Sequence, residues 1–384
     1  MRHENSVFHQ LQQHVPWSEF DRLVDEHKAD HRVRRLTTKS QFLALLFGQL
    51  SGAASLREIE AGLSSHAAKL YHLGGRNVAR ATLADANSKR PAALFADLFA
   101  LMAARAGRRT RRHIGDTLRV LDATRVQVSS LYGGWADMVG GKRAIKLHLC
   151  YDPHADAPLS MTLTGQRTND IVPARAIEIV PGVTYVFDLA YYDFAWWAQI
   201  DGKGARFVTR LKSNTLVDTV TEQPGCEAAG ILSDRVGFLP QRLASSRRNP
   251  FADPVREITV RIATGKVIRL VTNDLDAPAA EIADLYKQRW QIELFFKWIK
   301  QNLKIRHFLG TSENAVRIHV FVALIAYLLL RLAQACQQDI AQPLVFSRLV
   351  RLNIMHRRPI NALRKQRPKA TADPKQLSLK ISAD

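Results

Sequence analysis

Apolar positions change their period along the chain, and the change divides it. Through residues 1–112 they recur at helical spacing, as in FLALLFGQLSGAASLREIEAGL and TLADANSKRPAALFADLFALMAARA. Gly52, Gly74, Gly75 and Pro91 break the pattern, and Ser55 with Glu58 forms a capping-box pair ahead of an apolar run. From about residue 115 the pattern alternates. Strands are predicted at 117–122, 126–131, 145–151 and 158–163, then a helix near 170–179, a strand at 183–188, a helix at 193–200 and a strand at 205–211. Strands first, then helix and strand in turn, is the order of a mixed-sheet α/β domain. A β-rich insertion at about 211–275 follows, in which EITVRIATGKVIRLVTND reads as a hairpin across Thr264 and Gly265. A helix packed through Trp290, Ile292, Leu294, Phe295 and Ile299 comes next. The uninterrupted apolar run at 320–330, between His319 and Arg331, is too short to span a membrane and reads as a core helix. Three parts result: 1–112, 113–335, and a basic, proline-bearing tail at 336–384.

Chemistry concentrates at three places in the middle part. Leu118 and Val120 lead into Asp122, and Val183, Tyr185 and Phe187 alternate into Asp188, so two strands close on acids. In YKQRWQIELFFKWIK, Tyr286, Arg289, Glu293 and Lys300 fall within roughly a 60° arc of one helix. An acid, a phenol and two cations on one stripe suit a place where a metal ion meets phosphate: the acid binds the cation and the others hold phosphate oxygens. The plainer alternative is a solvated face with an Arg–Glu pair at i, i+4. For a single Asp at a strand end it is a turn or helix cap. Asp193 rivals Asp188 as the second acid, and Asp116 rivals Asp122 less well because it precedes the strand.

The spacing Tyr-x2-Arg-x3-Glu-x6-Lys in the helix resembles the signature of a large group of bacterial insertion-sequence transposases of the DDE type. That resemblance implies a ribonuclease H-like catalytic core with a β-rich insertion before the last acid, preceded here by a helical N-terminal region. It implies that Asp122, Asp188 and Glu293 are the catalytic and metal-binding acids. It implies that Tyr286, Arg289 and Lys300 grip DNA, with Lys297 and Lys304 near the same stripe as possible extensions or as an exposed polar face. Oxygen donors of this kind suit Mg2+ or Mn2+, expected as two ions. The partners implied are terminal inverted repeats and target DNA, bound by a homodimer. The expected reaction is metal-dependent cleavage and strand transfer. A nuclease or resolvase of the same fold, or a catalytically silent DNA-binding protein, stays open. Some members stack a flipped base on a Trp of the insertion, but residues 211–275 contain no Trp, only Phe238 and Phe251 as large rings of that kind.

Charge agrees with a polyanionic partner. The chain carries 55 Lys and Arg against 35 Asp and Glu, a formal charge of +20 and a pI near 10.2, which favours nucleic acid over a membrane it has no long apolar segment to enter. Arg105, Arg108, Arg109, Arg111 and Arg112 form a basic run expected as an exposed linker ahead of the first catalytic strand. Cys150, Cys226 and Cys336 are isolated, which excludes a Cys-based zinc site or a disulfide framework and fits a reducing cytoplasm. The N-terminal helices fit either a helix-turn-helix with ARATLADANSKR as its reading helix or a plain bundle.

Overall fold

The computed structural model describes residues 5–111, 117–128, 135–139, 142–225, 230–242, 248–303, 308–337 and 339–364. They divide into two units, one of residues 15–328 and one of residues 1–14 with 329–384.

In the larger unit the chain begins with helices α2 (Trp17–Glu26), α3 (Thr38–Ser51), α4 (Leu56–Ser64), α5 (Ala67–Leu70), α6 (Arg80–Lys89) and α7 (Ala92–Arg111). The capping box forms: Ser55 Oγ accepts from Glu58 N at 3.2 Å, and Glu58 returns a carboxylate oxygen to Ala54 N at 2.8 Å. Where the arginine run suggested an exposed linker, residues 105–111 are instead the last turns of α7. Arg105 there lies 3.7 Å from Glu19 of α2. The helix continues because nothing in RAGRRT supplies a stop stronger than a single Gly.

These helices share a core with α12 (Glu313–Ala335), so position 112 is not a seam between separate cores. Phe99 of α7 meets Phe321 at 6.1 Å between ring centroids, and Gln49 of α3 hydrogen-bonds His319 at 2.7 Å. Asn314 donates to the carbonyls of Asn87 and Arg90 at 2.9 and 2.6 Å. The helix is longer than its apolar run implied and passes the length and hydropathy test for a membrane span. Yet 83% of its most apolar window is buried inside the protein, which is what a core helix requires.

Among the described residues the sheet has ten strands: β1 (Leu118–Val128), β2 (Met138–Val139), β3 (Lys142–Asp152), β4 (Ala157–Gly165), β5 (Thr184–Val186), β6 (Arg206–Arg210), β7 (Asp218–Gln223), β8 (Ile231–Phe238), β9 (Val255–Arg261) and β10 (Val267–Thr272). Its central run is β4-β3-β1-β5-β6. The first three pair antiparallel, while β5 pairs parallel to β1 and β6 parallel to β5. This is the expected ribonuclease H-like order. The insertion does not form a separate layer: β10 pairs antiparallel with β6, and β9, β8 and β7 extend the same sheet.

Two layers of helix cover the central strands. On one face α8 (Ile171–Arg175) and α9 (Phe194–Gly202) close a core of Leu121, Tyr185, Phe187, Trp196, Trp197 and Phe207. The other face takes α10 (Ala279–Gln288) and α11 (Trp290–Asn302), and the Phe295 ring packs tilted against Tyr151 of β3, 5.2 Å between centroids. Side-chain alternation along β1 therefore sends Leu121 to the first face and Asp122 to the second.

The smaller unit contains α1 (Val7–Gln12), the end of α12 from Leu329, α13 (Pro343–Asn353) and a 3-10 turn at Ile360–Ala362. Val7 N and Phe8 N donate to the carbonyls of His356 and Ile354 at 3.0 and 2.8 Å, and Gln10 bridges Arg358 O and Ile360 N. Residues 343–363, assigned above to a basic tail, are thus folded. Phe346 and Val350 supply a buried stripe that the nearby arginines obscured. Residues 365–384 lie outside the described residues.

Candidate active site

Asp122 is not at a strand end. β1 runs unbroken through it, because Thr124, Val126 and Val128 continue the alternation and pair with β3 as far as Arg143. Its neighbour is set by the parallel β1–β5 register. Val120 faces Val186, and two residues further along each chain stand Asp122 and Asp188. Both acids thus point to the α10–α11 face, beside each other, Asp122 within β1 and Asp188 just past the carboxyl end of β5. Asp188 lies two residues past β5 and caps the 3-10 turn Leu189–Tyr191, accepting from Ala190 N at 2.8 Å. Asp122 accepts from its neighbour's amide, Ala123 N, at 2.7 Å.

The third acid arrives on a helix that is not continuous with Tyr286. The single helix expected over 286–300 is two, α10 and α11, meeting at Arg289. Arg289 N bonds Tyr286 O at 3.1 Å and Ile292 N bonds Arg289 O at 3.3 Å, so the joint tightens to 3-10 spacing. Arg289 Nη1 lies 2.7 Å from Glu293 and 3.7 Å from Asp122. Its guanidinium also sits 5.8 Å from the Tyr286 ring centroid. Lys300, two turns on, donates to Thr124 Oγ1 of β1. Helix α11 buries Ile292, Phe295, Phe296 and Ile299, but Trp290 and Leu294, expected in that interface, are 58% and 55% exposed.

The electrostatics of the cluster are uneven. Burial pushes the Asp122 carboxyl up to about 7, with Asp188 and Glu293 adding to the rise, while the Ala123 amide and Arg289 oppose it. Burial alone works to lower the Arg289 guanidinium, yet Tyr286, Glu293 and Asp122 outweigh it and the net direction is upward. The Tyr286 hydroxyl is raised, chiefly by burial, against the pull of Arg289 and of Arg210. A carboxylate that resists ionisation although an arginine touches it marks a place short of positive charge.

Among the described residues, no three His, Cys, Asp or Glu side chains stand close enough together to hold a metal ion as they are. The two aspartates are adjacent, but Glu293 is turned onto Arg289. The donors are nonetheless hard oxygens, and the deficit of positive charge at Asp122 suits a divalent cation once Glu293 leaves Arg289.

Tyr286, Arg289, Glu293, Lys300 and Asp122 are brought together with Asp188, and Lys297 lies exposed on α11 four residues after Glu293. Lys304 lies outside the described residues, as do Arg112, Asp116 and Cys226. The rival Asp193 is a helix cap: it accepts from Trp196 N at 2.8 Å and pairs with Arg175. Two neighbours were not singled out from the sequence. Thr124 takes the Lys300 ammonium, and Arg210, the last residue of β6, exerts its charge on Tyr286. A cation ending the strand next to β5 was the available signal for Arg210. Cys150 is buried, its thiol pushed up to about 12 by that burial, so it offers no thiolate nucleophile.

The model of the transposase DDE domain matches residues 113–329, and a domain of unknown function matches residues 3–76. A Sinorhizobium fredii protein whose name describes it as a transposase, y4zB, is 43% identical over 74% of this chain and 80% of its own length. A protein of Geobacillus stearothermophilus named as a transposase for insertion sequence element IS5377 is 32% identical over 61% of this chain and 62% of that one. Among solved structures, the piggyBac transposase synaptic complex with hairpin DNA aligns with a TM-score of 0.47 at 10% identity, covering 94% of this chain and 82% of that one.

Proposed function

This chain belongs to the DDE-domain transposase family of bacterial insertion sequences, and we propose that it binds the terminal inverted repeats of its element, cleaves the DNA strand there and joins it to a target. The observation that carries this is the register of Asp122 with Asp188 on one sheet face, faced by Glu293 across Arg289. Asp122, Asp188 and Glu293 are the acids we assign to catalysis.

When bound, a pair of Mg2+ or Mn2+ ions would polarise the scissile phosphate and make water, then a DNA 3′ hydroxyl, an effective nucleophile. The chain's own contribution is to hold both parties. Asp122 and Asp188 are fixed by backbone amides, so their carboxylates are oriented before any ligand arrives. Glu293 sits in the first turn of α11 and can rotate between Arg289 and the aspartates. Arg289, released from Glu293, presents a planar fork to a phosphate oxygen. Tyr286, kept protonated by burial, can donate to another. Lys300 lies close by on Thr124, and Lys297 faces solvent one turn from Glu293, where each can neutralise backbone charge.

The N-terminal helices support the DNA-binding role. Helix α6 buries Leu83, Ala86 and Asn87 and exposes Arg80, Thr82, Asp85, Ser88 and Lys89, a polar face of modest side chains that a major groove accepts. We assign it as the reading helix. The active species is a dimer, since a mobile segment has two ends to process together.

The direct test uses end-labelled duplex carrying one terminus of the element and an unlabelled target. Cleavage and joined product in Mg2+, both absent in EDTA, is the expected result. Cleavage with no joined product under any divalent ion would make this a nuclease instead, and binding with no cleavage would make it a silent DNA-binding protein.

A further inference from the structure

A second charged feature lies on the far side of the strands that carry the acids. Alternation along β1 sends Arg125 to the face opposite Asp122 and Thr124, and its antiparallel register partner Lys146 points the same way. These two, with Gln166, Arg167, Thr168, Asn169 and Asp170 of the β4–α8 connection, line an open groove of about 600 Å³. Its remaining wall is Leu189–Ala190, the turn that Asp188 caps.

The groove has a net positive lining. Lys146 is tied to Asp170 at 2.8 Å and to the Thr168 carbonyl at 2.7 Å, so that pair cancels and is structural. His148 behind it is buried, pushed down to about 4 by that burial, and adds no charge at neutral pH. Arg125 is exposed and has no carboxylate partner among the described residues. Arg167 rests its guanidinium on the Met138 carbonyl at 3.1 Å. Two cations beside amide side chains and a hydroxyl form the donor set that DNA phosphates collect, and the set carries no base-reading geometry of its own.

Position decides which phosphates. We propose that this groove holds the backbone of the DNA strand beyond the scissile phosphate, the flanking DNA before cleavage; this rests on the assignment of Asp122, Asp188 and Glu293 to strand cleavage. Tyr286, Arg289 and Lys300 stand on the sheet face that carries the acids, and the groove opens on the opposite face of the same strand. The turn Leu189–Ala190 follows Asp188 directly in the chain and forms one wall of the groove, so the groove adjoins the acids across the sheet. Arg125 and Arg167 are then contacts for the departing strand.

The experiment compares two duplexes from the element's terminus, one ending at the scissile phosphate and one continuing about a helical turn past it, bound by wild type, Arg125→Ala, Arg167→Ala and the double variant across a salt series. On the longer duplex the slope of log affinity against log salt should shrink by about one for each arginine removed. On the shorter duplex wild type and variants should coincide, and Arg125→Lys should restore most of the slope. Equal slopes on the longer duplex, or equal losses on both, would overturn the proposal. Because these variants leave the acids intact, Asp188→Asn run alongside separates the two failures. If cleavage survives Asp188→Asn, the catalytic assignment fails, whatever the slopes show. Unaltered thermal melting of the arginine variants excludes a folding defect as the cause.

Discussion

Arg289 meets Glu293 at 2.7 Å while standing 3.7 Å from Asp122, so one guanidinium lies between two of the three acids. Under the catalytic assignment proposed above, a positive group in that position does for the resting site what a divalent cation would do in the working one. It offsets the repulsion among carboxylates, and it must give way before Glu293 can join the aspartates.

Arginine and metal therefore compete. Arg289→Ala is expected to bind Mn2+ several-fold more tightly than wild type in the absence of DNA, by calorimetry, while binding terminal DNA more weakly. Unchanged metal affinity would mean that Arg289 serves the phosphate alone.

The Asp122 carboxyl gives the metal-free protein a pH signature. Its folded pKa is raised to about 7, so the fold favours the protonated form. The group then contributes stability that is fully present near pH 4 and is lost as pH rises to about 7, at most a few kcal/mol. In EDTA, Asp122→Asn should raise the melting temperature relative to wild type at pH 8 and have little effect near pH 4. Metal affinity of wild type should climb with pH up to about 7, and the proton released on metal binding should fall away above that pH. Parallel melting curves for the two proteins at all pH values would remove the burial argument.

The insertion has its own lock. Arg256 of β9 holds Asp234 of β8 through two bonds of 2.8 and 2.7 Å, both residues being almost fully buried, and it reaches the Leu275 and Ala277 carbonyls ahead of α10. Removing one partner strands a buried charge, so Arg256→Ala should cost about 3–5 kcal/mol in chemical denaturation. Arg256→Ala combined with Asp234→Ala should cost less than the single change. A single-variant cost below about 1 kcal/mol would show that water reaches the pair.

The residues on strands were readable because alternation is local. Leu118 and Val120 put Asp122 on β1, Val183 to Phe187 put Asp188 within two residues of the end of β5, and the Thr264–Gly265 hairpin appears as β9 and β10. What lies beyond Asp122 was misjudged, since Ala123 and Thr124 look like a break yet pair with His148 and Leu147 of β3. Edge strand β7, DTVTEQ, is exposed at nearly every position and so carries no apolar alternation to detect. The division of the signature helix at Arg289 is equally silent in the sequence. No Gly or Pro marks it, and nothing in residues 286–292 forbids a continuous helix. The apolar face of α11 was overcounted for a related reason: Trp290 and Leu294 are four apart and share a face, but it is the face left to solvent.

The most direct measurement is strand cleavage of labelled terminal DNA in Mg2+ by Asp122→Asn, Asp188→Asn and Glu293→Gln, each first shown by gel shift to bind that DNA as wild type does. Each substitution keeps shape and removes one metal-binding charge. Cleavage should fall by at least about a thousandfold in all three, the scale expected when an essential charge is lost at a reacting phosphate. Wild-type cleavage by any one of them would contradict its place among the three acids.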